Sequence, residues 1–218
     1  MKIKIAVNLK TNKLIRSLII TDLSLFAGWG LIAPVFSIFV VEQVEGATLV
    51  TVGIGAAIYW ILKSFLQIPI ANFLDRHEGE KDDFRVLVAG LFLAAAAAFL
   101  FALVTKVWQL YLIQALQSIA FGLYIPSWSA IFSRHVDKDH VSFDWSLDST
   151  AVGLSAGTMG FLGGVIANWL GFEGVFVLGG LLSLLSAFVV LFVPELILPR
   201  KTSTEPLLKD HTPTSLRQ

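Results

Sequence analysis

Six apolar stretches, each long enough to cross a bilayer, run through this chain between residues 17 and 197. They fall at 17–41, 48–73, 86–105, 108–132, 147–170 and 174–197. A helix of about 20 apolar residues spans the ~30 Å hydrocarbon core of a membrane. Inside lipid no water satisfies the backbone, so only helices and closed barrels can cross. The lengths of the stretches and their lack of period-two alternation exclude a barrel. The expected fold is an all-α membrane protein with six transmembrane helices.

Composition bounds the function. The chain is 56% hydrophobic and 15% charged, against about 25% charged in soluble domains. Its formal net charge is zero and its basic residues are dispersed, which argues against a nucleic-acid partner. There is no cysteine, so disulfides and thiolate metal sites are excluded. The four histidines (His77, His135, His140 and His211) are expected in loops or the tail, so neither a metal site nor a cofactor is anticipated. Residues 1–16 form a basic N-terminal segment. The apolar run that follows is too long for a signal-peptide core and reads as a retained first helix. Residues 198–218 are rich in Pro, Ser, Thr and Lys and are expected to be a disordered cytoplasmic tail. Residues 17–197 are the single membrane domain.

Orientation follows from the basic residues. An even number of spans puts both termini on one side. That side collects Lys2, Lys4, Lys10, Lys13 and Arg16, then Arg76, Lys81 and Arg85, then Arg134 and Lys138, then Arg200 and Lys201. The other side has Lys106. The positive-inside rule predicts cytoplasmic termini in a plasma (inner) membrane. Trp108 and Trp169 fall where the outer aromatic belt belongs, and Trp128 and Trp145 near the inner one.

Polar residues within the spans are candidate functional groups, because a charge near the bilayer centre costs ~2.5–3.5 kcal/mol on insertion scales. Asp22 and Lys63 are the deepest ionisable residues. Each is read as a cavity group, as an ion pair or a substrate contact; snorkelling or a structural pair is the alternative. On the fourth stretch Gln114, Gln117, Phe121, Tyr124 and Trp128 share an arc of about 80° at helical spacing. Two amides and two polar-tipped aromatics on one face suggest a cavity lining, with helix packing as the alternative. The first stretch carries a similar line in Asp22, Phe26, Trp29 and Ala33.

Gly153-Leu-Ser155-Ala-Gly157 matches the serine-hydrolase pattern Gly-x-Ser-x-Gly. It lacks the strand-to-helix turn, and no histidine is expected inside the membrane to serve as base. Gly153, Gly157, Gly160 and Gly164 read instead as small residues that let helices approach closely. No enzyme activity is expected.

Ala71-Asn-Phe-Leu-Asp75-Arg76-His-Glu-Gly79-Glu-Lys81 resembles the signature between the second and third helices of the major facilitator superfamily, roughly Gly-x-Leu-Ala-Asp-Arg-x-Gly-Arg-Lys. Ala71 replaces the first glycine, and Gly79 comes one residue late. Gln114 to Gly122 with Pro126-Ser127 is similar to the family's fourth helix, and Gly153 to Gly164 with Gly171 to Phe176 to its fifth and sixth. Two departures touch the mechanism. Gln114 stands where many proton-coupled members carry arginine, and the Gly-Pro pair of antiporter-type fifth helices is missing before Gly163-Gly164.

The resemblance implies a single six-helix half, a 3+3 half bundle. It implies secondary transport of a small organic solute by alternating access, with the first and fourth helices lining the pathway. Two such halves flank the solute site in this family, so a half-size chain is expected to pair as a symmetric homodimer through helices two and five. A heterodimer with another half is also possible. A non-transporting accessory subunit or a degenerate half-transporter fragment is the alternative. The signature loop implies a cytoplasmic gate in which Asp75 meets the start of the partner's fifth helix and Arg76 pairs with the partner's Asp144 or Asp148. The expected partners are therefore lipid bilayer, solute and a second half.

Overall fold

A computed structural model describes residues 12–76 and 80–192. The segment before residue 12, His77 and Gly79, the end of the sixth apolar stretch and the whole tail, including His211, lie outside the described residues.

Five long apolar helices make up the described fold: α1 (Lys13–Gln43), α2 (Leu49–Arg76), α3 (Glu80–Phe101), α4 (Val107–His135) and α5 (Val141–Leu191). Each is long and apolar enough to cross a membrane. The last two expected stretches lie within α5, whose 51 residues bend at Gly171 (φ 72°, ψ 178°). A positive φ of this kind is strained for any residue with a Cβ.

The bend reverses the chain. In the first arm, 141–170, Ser155 bonds to the Leu23 carbonyl and Gly163 abuts the Leu31 backbone, so it runs parallel to α1. In the second arm, 172–191, Phe176 meets Phe39 while Gly179 and Ser183 lie against Gly28, so it runs antiparallel.

Glycines set these distances, because backbones without side chains between them can close up and gain dispersion contacts in lipid. A Cβ on Gly28 would strike the Gly179 carbonyl, and one on Gly163 the Leu31 carbonyl. Gly90 does the same for α3 on α4, its added Cβ meeting the Ala120 carbonyl at 2.9 Å. The expected packing row behaves differently. Gly153, Gly157 and Gly164 have nothing within 4 Å of an added Cβ, and Gly160 only the Gly30 carbonyl at 3.7 Å. Within this chain the packing glycine of the first arm is Gly163, not that row.

Helix ends depart from expectation where charges can be paired. The charged link expected at 75–85 is mostly helix, since α2 runs to Arg76 and α3 starts at Glu80. Glu80, Asp82 and Asp83 occupy the first turn of α3, where aligned peptide dipoles favour carboxylates. Asp83 is buried and bonds to Arg134 at the end of α4. His135, expected in a loop, ends α4 instead. It is buried, with Nδ1 2.9 Å from the Ile131 carbonyl and Nε2 3.2 Å from Glu80. The link expected at 133–146 shrinks to 136–140, and His140 immediately precedes α5. At the opposite end Gln109 Oε1 accepts from the Thr105 and Lys106 N–H groups and starts α4.

Trp108 and Trp169 are exposed. Trp128 is not a belt residue. It is buried, with its ring stacked on Phe132 at 4.5 Å, because it sits on the face of α4 that packs inward.

Candidate functional site

A cavity of about 410 Å³ lies among α1, α2 and α4, a size typical of small-molecule sites. Phe26, Trp29, Ile32, Ala33 and Phe36 come from α1; Ala56, Tyr59 and Trp60 from α2; Gln114, Gln117 and Phe121 from α4. No described residue of α3 or α5 lines it. α2 and α4 run side by side in the same direction, because Gly55 seats Gln114, Ser118 reaches the Ile58 carbonyl, and Gly122 seats Leu66. That register brings Tyr59 to Phe121 at 6.0 Å, edge to face, and Trp29 to the same ring at 5.4 Å. The walls are six aromatic rings and two amides, with no charged side chain among them. Trp29 Nε1 is buried without a hydrogen-bond partner among the described residues.

The polar stripe of α4 divides by depth. Gln114, Gln117 and Phe121 line the cavity together with Phe26, Trp29 and Ala33 of α1, as expected. Tyr124 and Trp128 lie further along α4 and are packed into the core with Asp22. There the Tyr124 hydroxyl donates to Asp22, and the Asp148 carboxyl of α5 lies against the Asp22 carboxyl. These three residues tie α1, α4 and α5 together and do not reach the cavity wall. Asp22 therefore forms no ion pair with Lys63.

Lys63 lies one turn beyond Tyr59 and Trp60 on α2. Its Nζ sits 3.6 Å from the Trp60 ring centroid and 4.9 Å from that of Tyr59. It lies on the buried side of α2, where its own carbonyl approaches Gly122 of α4.

The expected gating residues differ in exposure. Asp75 and Arg76 are exposed at the end of α2. Asp144 and Asp148 are buried inside this chain, Asp144 Oδ2 accepting from the Asp137 N–H at 3.3 Å. As placed, neither carboxyl projects to meet an Arg76 from another copy. Ser155 donates to the Leu23 carbonyl at 3.0 Å, so the Gly-x-Ser-x-Gly serine is a helix-to-helix contact.

Sequence reasoning missed Ile32, Phe36, Ala56, Tyr59 and Trp60. The signal for α2 was present as Gly55, Tyr59 and Lys63 at four-residue spacing, which marks one helix face.

Apolar membrane-length helices that carry an aromatic and amide cavity among α1, α2 and α4 define an integral membrane protein. The chain belongs to the Major Facilitator Superfamily, whose profile matches residues 18–218. That is a family of transporters and not of enzymes. The chain is also similar to an uncharacterized MFS-type transporter of Methanocaldococcus jannaschii, 24% identical over 170 residues. The match takes in 78% of this chain and 42% of the relative, so the chain spans less than half the relative's length.

Proposed function

We propose that this chain is one half of a secondary transporter that carries a small organic solute by alternating access. In this reading the two arms of α5 cross the membrane separately, giving six spans with both termini in the cytoplasm of a plasma (inner) membrane. The observation that carries the reading is the cavity, which draws its walls from α1, α2 and α4 alone. A solute there still needs walls from a second half, and in this family two six-helix halves enclose the site near the bilayer midplane.

A second copy is the half we propose. Two surfaces support it. Only Thr51, Gly55, Lys63 and Leu74 of α2 are buried, leaving Ile54, Ile61, Phe65 and Ile68 exposed. The unfilled glycines of the first arm stand beside exposed Leu154 and Phe161. Two copies of such faces make a self-complementary interface. The test is native mass measurement from lipid nanodiscs, followed by solute uptake into liposomes and labelling of single cysteines at Gln114 and Gln117 by a soluble reagent. A dimer mass, uptake and labelling are expected. A strict monomer that still transports would sink the dimer, and inaccessible cysteines would sink the pathway.

A further inference from the structure

Lys63 is the residue whose placement the proposed function leaves unexplained. It is 6% exposed, in a helix whose neighbouring positions are mostly open. None of the ion pairs among the described residues includes it, and its contacts are the rings of Tyr59 and Trp60. The other ionisable residue deep in the spans, Asp22, is engaged by Tyr124 and Asp148 instead. A buried ammonium in apolar surroundings without a counter-charge is unfavourable, and such residues in membrane helices face functional cavities. Lys63 is not itself a wall residue, but both rings that its Nζ lies against are, so the ammonium sits directly behind the wall.

We propose that the cavity binds an organic monoanion, a carboxylate on an apolar or aromatic body, with Lys63 as the counter-charge. This rests on reading the cavity as the solute site. The body would pack against Trp29, Trp60 and Phe121, where aromatic edges and faces give a large contact area. The carboxylate would lie at the Lys63 end, and a charge-assisted hydrogen bond there is about twice as strong as a neutral one. Gln114 and Gln117 supply amide donors for further acceptors. A cationic solute is disfavoured, because the Trp60 ring already holds a cation and the wall offers no carboxylate.

The experiment uses three probes with one ring system: 2-naphthoate, 2-naphthamide and 2-naphthylmethylammonium. Binding to the full chain in nanodiscs is measured by equilibrium dialysis, with uptake by empty nanodiscs subtracted. The anion is expected to bind about tenfold more tightly than the amide, and the cation more weakly than both. Lys63→Met should abolish that preference while keeping amide binding, and Lys63→Arg should retain it. Trp29→Ala should weaken all three alike. Equal binding of the three probes by the unaltered chain, or an anion preference that survives Lys63→Met, overturns the proposal. Anion binding without liposome uptake would leave the proposal standing and count against transport. Uptake without anion preference would do the reverse.

Discussion

Tyr124 shares a helix face with Gln114 and Gln117 but has a different task. Ten residues separate it from Gln114, about 15 Å along the helix axis, enough to move it from the cavity wall into the core. Its hydroxyl donates to Asp22, and both residues are almost wholly buried. Their burial leaves little room for water to replace that donor once it is removed. Tyr124→Phe should therefore lower stability by about 1–2 kcal/mol, the range for hydrogen bonds between membrane helices in model peptides, while leaving the cavity lining in place. Thermal unfolding in nanodiscs, followed by tryptophan fluorescence, measures this. An unchanged midpoint would mean that the Asp22 carboxyl finds another donor. Asp83 is a comparable case at the end of α3. Its buried carboxylate bonds to Arg134, whereas neighbouring Asp82 makes an exposed pair with Arg85 at 3.3 Å, of a kind that contributes little.

At the scale of elements, α5 is the informative one. Its composition predicts two apolar spans, and its backbone reverses at Gly171. Which of its glycines pack was not legible, because Gly153, Gly157, Gly160, Gly163 and Gly164 are equivalent as letters. The rotation of the arm about its axis decides. Gly163 meets the Leu31 backbone, while Gly157 has open space. A methyl at Gly163 must push two helices apart, which typically costs about 1–3 kcal/mol in a packed interior. Gly163→Ala should lower the unfolding midpoint by a matching amount, and Gly157→Ala should leave it nearly unchanged. If Gly157→Ala nonetheless reduces crosslinking between copies at neighbouring engineered cysteines, the open glycines belong to the dimer interface. Equal midpoints for the two variants would contradict this packing of α1 on α5.

For the whole molecule, the exposed faces of α2 and the first arm of α5 are the surfaces that would meet a second copy in the proposed dimer. At the end of α2 Asp75 is exposed. In a symmetric pair it can lie near the partner's α5 N-terminus, whose unpaired N–H groups favour a carboxylate by about 0.3–1 kcal/mol, more if partly buried. Under the proposed alternating access, such a contact would act on the balance between outward- and inward-facing states and not on solute contacts. Asp75→Asn should accordingly slow liposome uptake with solute affinity nearly unchanged. Wild-type rates in a correctly inserted Asp75→Asn protein would remove this residue from the gate. Asp144 and Asp148 are buried within their own chain, so a pair with the partner's Arg76 would require their exposure.

Sequence alone determined that this chain is a bundle of apolar helices, where most of them run, and which faces of α1 and α4 hold polar groups. Lipid leaves the backbone few alternatives, and helical spacing maps residues onto faces without knowledge of neighbours. The family signature around Asp75 and Arg76 was legible for the same reason, being local in the chain. Depth and partnership were not local. Whether Asp22 would meet Lys63 or Tyr124 depended on how α1, α2, α4 and α5 rotate and slide against one another, and glycine contacts with backbone carbonyls set that register. Only the packed bundle placed Tyr59 and Trp60 in the cavity wall, drew Asp148 to Asp22, and left the Lys63 ammonium beside two rings without a carboxylate.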